Sequence, residues 1–91
     1  MNKPWFLYIA RTRTGRYYTG ISQSPKERIK AHNSGNGAKF AVNQGPFELV
    51  YVSLPIENKH KARELEIKVK DWSQEKKNRL ITKEWELDID S

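Results

Sequence analysis

The chain has no cysteine, so neither a disulfide nor a thiolate metal site can brace it. Proteins kept in a reducing compartment have this composition, and the expectation is a cytoplasmic location. Long apolar runs are missing too. The most apolar stretch, Trp5 to Ala10, is six residues, too short for a membrane span or a secretory signal. Acidic residues are scarce until the end. Only seven of the 11 acids fall within residues 1–83, against all 17 lysines and arginines, a net charge of +10. The last eight residues, EWELDIDS, carry Glu84, Glu86, Asp88 and Asp90 and bring the whole chain back to +6.

What remains is short and basic. No repeat, low-complexity tract or linker interrupts the 91 residues, so the reading is one domain over 1–83 and an acidic tail over 84–91. A chain of this size buries only about 60–65% of its unfolded surface, which leaves a thin core. The +10 body is the electrostatic footprint of a polyanion binder, and nucleic acid is the expected partner.

The elements can be read in order. PWFLYIA has the apolar, β-branched and aromatic content of a buried strand. RTRTGR is a basic turn, and YYTGI reads as the second strand of a hairpin. A loop with an odd number of residues makes paired positions sum to an even number, which would put Tyr8 and Tyr18 on one face. SPKE marks a helix start, with Ser24 able to cap, Pro25 at the first helical position and Glu27 three residues after the cap. That helix runs to about Asn33, and Arg28 and His32, four apart, are neighbours on it.

NSGNGAKFAVNQGP is a glycine-spotted loop with room for one helical turn from Ala38 to Val42. FELVYV follows as a third strand, with Phe47, Leu49 and Tyr51 on one side and Glu48, Val50 and Val52 on the other. Asn58 caps a longer helix to about Trp72, with Ala62, Leu65, Val69 and Trp72 as its apolar stripe, and Ser73 caps a last helix through about Ile81. The order β-β-α-β-α-α predicts an α+β fold, a small three-stranded, mainly antiparallel sheet flanked by helices. Glu66 falls at the border of the buried stripe, where a carboxylate is costly unless a cation compensates. An ion pair with Lys70, one turn on, is the plain explanation.

Tyr8, then Tyr18 ten residues on, then Arg28 ten further, His32, and a helical glutamate downstream form an ordered series. On these residues the chain resembles the GIY-YIG nuclease superfamily, specifically its small standalone bacterial members. FLY (Phe6-Leu7-Tyr8) occupies the first motif and YTG (Tyr18-Thr19-Gly20) the second. ERIKAHNSGNGAKF, PFELVY and ARELEIKVK resemble the arginine-to-histidine helix with its loop, the third strand and the glutamate helix. The likeness runs from about Trp5 to Ile81. Phe6 replaces the first motif's glycine and Thr19 the second's isoleucine, while both tyrosines and Gly20 are kept.

The resemblance implies a metal-dependent endonuclease that hydrolyses DNA phosphodiester bonds in repair, recombination or processing. Glu66 would hold one Mg²⁺ or Mn²⁺ ion, weakly without substrate. Arg28 would contact the scissile phosphate. Tyr8 or Tyr18 would deprotonate or orient the attacking water, helped by nearby cations that lower a phenol's pKa from about 10. His32 would be a proton partner, and Gly20 would let backbone pass beside the tyrosine. Arg11, Arg13, Arg16, Lys26, Lys30 and Lys39 are the expected nucleic-acid contacts. So small a footprint implies weak sequence specificity, with phosphate contacts dominant.

Two rival readings remain on the sequence alone. One is a non-catalytic nucleic-acid binding module on the same fold. The other is a subunit activated by a protein partner or by self-association. Trp85, Leu87 and Ile89 alternate with acids in a strand-like pattern that could dock internally, join a neighbour, lie across the basic face, or simply fray as a free chain end.

Overall fold

The computed structural model describes residues 3–33, 46–84 and 87. Its elements are β1 (Phe6–Arg11), β2 (Tyr17–Ser22), α1 (Pro25–Asn33), β3 (Glu48–Val52), α2 (Lys59–Lys70) and α3 (Gln74–Ile81). This is the expected β-β-α-β-α-α order. The helical turn over Ala38 to Val42, and Lys39 within it, lie outside the described residues.

β1 is apolar from Phe6 to Ala10 because it is covered on both faces. It takes the centre of the sheet, in strand order β2-β1-β3, antiparallel to both neighbours. Leu7 and Ile9 face one side, where Ile56, Ala62, Leu65 and Val69 with Leu80 form the larger core under α2 and α3. Tyr8 and Ala10 face the other, packed with Ile29 of α1 and Phe47. The sheet thus separates two cores, and the smaller one holds the first tyrosine.

The turn between β1 and β2 sets the register. The Gly15 amide donates to the Thr12 carbonyl at 3.0 Å, and the Arg16 amide donates to Thr12 Oγ1 at 3.0 Å. Gly15 sits at φ +88°, a left-handed conformation glycine adopts without strain. The five-residue loop from Thr12 to Arg16 puts Tyr8 opposite Gly20 and Ala10 opposite Tyr18. Tyr8 and Tyr18 therefore share a face.

β3 corrects one expectation. Tyr51 pairs with Ile9 and Leu49 with Ala10, so Val50 is an extra residue bulged out of the ladder. The alternation breaks there. Leu49 joins Phe47 on the α1 side, whereas Tyr51 packs with Val50 on the α2–α3 side. Asn33 ties the end of α1 to the start of β3: its Nδ2 donates to the Phe47 carbonyl at 2.9 Å and its Oδ1 accepts from the Phe47 amide at 2.7 Å.

Both later helices start at the expected caps. Asn58 Oδ1 accepts from the Lys61 amide at 2.9 Å, and Ser73 Oγ from the Lys76 amide at 3.2 Å. α2 ends at Lys70, two residues short of Trp72. After α3 the Glu84 amide donates to the Arg79 carbonyl at 2.9 Å and the Lys83 amide to Leu80 at 3.2 Å, a Schellman ending with Lys83 at φ +66°. Leu87 packs on the larger core. A lysine in that conformation is strained. Lys83→Gly should stabilise the fold by about 0.5–1 kcal/mol, read as a higher midpoint in urea unfolding at unchanged slope.

Candidate active site

Gly20 lies on the edge strand directly opposite Tyr8. With no side chain there, the phenol end of Tyr8 lies flat over the β2 backbone. A Cβ added at Gly20 would stand 2.6 Å from the Tyr8 hydroxyl and 2.7 Å from Cζ. The ring is 1% exposed, yet its hydroxyl end reaches a cleft of about 510 Å³ at the β2 side of the sheet. Tyr8, Tyr18, Gly20, Arg28 and Glu66 all line this cleft. One site thus gathers two strand phenols, a helix-borne guanidinium and one carboxylate.

Tyr18 lies diagonally across from Tyr8, with ring centroids 6.3 Å apart. Its other side is packed. Phe47 stacks on it at 5.9 Å and 12°, and His32 meets it edge-on at 6.2 Å. His32 also meets Phe47 edge-on at 5.6 Å and does not line the cleft. His32, expected as a proton partner, thus sits one helical turn beyond Arg28 with its ring against Tyr18 and Phe47, outside the cleft lining.

Both His32 nitrogens are buried without a hydrogen-bond partner among the described residues. Burial, and then the Arg28 cation, push the imidazole below its ordinary value, which favours the neutral ring in the folded state. The linked stability is present above the unfolded value of about 6.5 and is lost as pH falls through the folded one. Melting temperature should therefore drop between about pH 7 and 5 more steeply in the wild type than in His32→Phe. Parallel curves would show that His32 does not titrate on unfolding.

The Tyr8 phenol is pushed up to about 12, by burial first and the neighbouring Tyr18 second, with Arg28 pulling the other way. Of the cations expected to lower it, the Arg28 guanidinium by itself is outweighed by burial. The group stays a neutral phenol at neutral pH, able to donate or orient.

Glu66 is deeper than its helical-wheel position suggests, 8% exposed beside Ala62, Leu65 and Val69. The expected partner Lys70 is present at 3.4 Å, and Arg63 stands at 3.9 Å. Both separations are long for direct hydrogen bonds, so the carboxylate is compensated without being locked away from the cleft.

The other basic candidates lie elsewhere. Arg11 pairs with Glu48 across the sheet at the hairpin end. Neither it nor Arg13, Arg16 or Lys30 lines the cleft, and Lys26 borders a separate apolar groove with Phe6, Pro25 and Val52. The cations that do line the cleft beside Arg28 are Lys59 and Arg63, which the sequence reading missed. Their spacing on the Glu66 face of α2 was the available signal.

Residues 4–79 match the GIY-YIG catalytic domain, and the chain belongs to that family, a family of nucleases. Within it the chain groups with small bacterial UPF0213 proteins. It is 38% identical over 78 residues to the UPF0213 protein YhbQ of Escherichia coli K12, covering 86% of this chain and 77% of that one. It is likewise 38% identical over 77 residues to the UPF0213 protein plu4503 of Photorhabdus laumondii, covering 85% and 73%. The solution NMR structure of the UPF0213 protein BH0048 from Bacillus halodurans has a similar fold, with a TM-score of 0.53 at 37% identity over 86% of this chain and 82% of that one. Among the described residues no helix is long and apolar enough to cross a membrane.

Proposed function

We propose that the protein is an endonuclease that hydrolyses DNA phosphodiester bonds with one divalent cation, Mg²⁺ or Mn²⁺, held by Glu66. The observation that carries this reading is the convergence of Tyr8, Tyr18, Arg28 and Glu66 on one cleft in a chain of a nuclease family.

The donor set fits such an ion. Among the described residues no three histidines or acids cluster, so Glu66 acts as a lone carboxylate in an open cleft. Mg²⁺ accepts this arrangement, since it keeps several waters and relies on substrate phosphates for further ligands. A divalent cation bound there supplies Lewis-acid neutralisation of phosphate charge.

The chain's own residues do the rest. Arg28 donates to phosphate oxygens and stabilises the charge that grows in the transition state. Tyr8, a neutral phenol, orients the attacking water by hydrogen bonding. Tyr18 presents a second hydroxyl, and Phe47 and His32 fix its ring. A cleft this size reads backbone more than sequence, which favours structure-guided cutting in DNA repair, recombination or processing.

The test is a panel of labelled branched, single-stranded and duplex DNA with Mg²⁺ or Mn²⁺. Cation-dependent cleavage is expected, falling about 10²–10³-fold in Arg28→Ala with the melting temperature preserved. Binding without cleavage on every substrate would make the protein a non-catalytic nucleic-acid binding module.

A further inference from the structure

Two cations on the α2 wall have no task in the hydrolysis just described. Lys59 and Arg63 line the cleft together with Glu66. Steps of four and three residues place all three on one helical face. At about 1.5 Å per residue, Arg63 lies about 4.5 Å and Lys59 about 10 Å along the helix axis from Glu66. The side chains form a ladder leading away from the carboxylate.

Offsetting the burial of Glu66 does not account for both. Lys70 at 3.4 Å and, more loosely, Arg63 at 3.9 Å already serve that purpose, which leaves Lys59 without a part in it. Lys59 stands about a Debye length away, where a charge contributes little through solvent. Its ammonium instead lies over the Trp5 ring, 5.4 Å from the centroid. The Trp5 backbone exchanges hydrogen bonds of 2.9 and 2.7 Å with Ile56, and its side chain packs against the larger core. A cation–π contact holds an ammonium in place without neutralising it. The rim of the cleft thus keeps a positioned, uncancelled positive charge.

We propose that Lys59 and Arg63 form a binding subsite for the sugar–phosphate backbone of the substrate strand next to the reacting phosphate, with Trp5 as a positioning residue for Lys59. The subsite rests on the nuclease reading and adds a direction: the strand leaves along α2 toward its N-terminal end, not across the hairpin tip with Arg11, Arg13 and Arg16. A volume of about 510 Å³ takes a few linked atoms of one strand at a time. The group contacted is therefore the sugar–phosphate backbone of one strand, for which a single-stranded oligonucleotide is the simplest probe.

The experiment measures anisotropy of a fluorescein-labelled single-stranded oligonucleotide in EDTA over a series of salt concentrations. It compares wild type, Lys59→Gln, Arg63→Gln, the double variant and Lys61→Gln. Lys61 is on the same helix but pairs with Glu57 and does not line the cleft. Both target side chains are exposed, so the variants should melt like the wild type.

The double variant should bind about tenfold or more weakly. The slope of log affinity against log salt should flatten by about 1.4, from about 0.7 per lost phosphate contact. Lys61→Gln should leave the slope in place. Trp5→Leu should weaken wild-type binding but add nothing once Lys59→Gln is present, which a merely structural role would not produce. A double variant with wild-type affinity and slope overturns the subsite even if the enzyme cuts DNA. A wild type that binds with the predicted slope change yet never cuts would sink the nuclease reading and spare the subsite.

Discussion

Gly20→Ala should be strongly destabilising, because its methyl must occupy space already taken by a buried aromatic ring. The new Cβ would stand 2.6 Å from the Tyr8 hydroxyl, 2.7 Å from Cζ and 3.0 Å from Cε2. The ring has no easy escape, being 1% exposed in a core with Ala10, Ile29 and Phe47. Forced repacking of this kind costs about 1–3 kcal/mol. In a domain of this size that is a fall in melting temperature of about 4–24 °C. Catalysis should suffer as well, since a catalytic group displaced by about 1 Å can lose about 10²-fold in rate. Tyr8→Leu in the same chain removes the clash, so Gly20→Ala/Tyr8→Leu should regain much of the stability and none of the activity. Calorimetry and the cleavage assay read the two effects separately. A Gly20→Ala protein that melts with the wild type would mean the ring moves aside freely and Gly20 does not seat it.

The frame of the molecule was legible because local chemistry and tertiary fold agree along most of the chain. Asn58 and Ser73 cap the helices they were expected to cap, and the odd-numbered Thr12–Arg16 loop put Tyr8 and Tyr18 on one face. The departures come from interactions that no local pattern carries. The Val50 bulge is a property of pairing with β1, and a five-residue apolar strand looks the same with or without it. Glu66 was at the border of a helical wheel, but its burial depends on how α2 rolls against the edge of β2. That roll also decides that Lys59 and Arg63 face the cleft while Lys61 does not.

His32 illustrates the same limit. Four residues from Arg28, it shares a helical face with it, yet the face is wide enough for one side chain to meet the cleft and the next to pack behind Tyr18. The basic hairpin tip was the most visible charge in the sequence. At about 3.3 Å per residue, Arg11 lies about 10 Å along β1 from Tyr8, and only the fold shows that the cleft opens at the other end.

Glu66→Gln should remove cation-dependent cleavage, by about 10³-fold or more, because among the described residues Glu66 is the one carboxylate that lines the cleft and could serve a metal as an anionic ligand. Glutamine is the informative replacement. Glu66 is 8% exposed within the Ala62, Leu65 and Val69 stripe, and an amide of the same shape leaves that packing intact where alanine would open a gap. Lys70 and Arg63 reach solvent, so neither is stranded as a buried charge when the carboxylate goes. The melting temperature should accordingly change little. Binding to DNA in EDTA should hold or tighten slightly, since one negative charge leaves a basic cleft. This separation of effects distinguishes a metal ligand from a residue that merely shapes the groove. A shaping role would lower affinity and cleavage together, and retained cutting by purified Glu66→Gln would remove Glu66 from the reaction altogether.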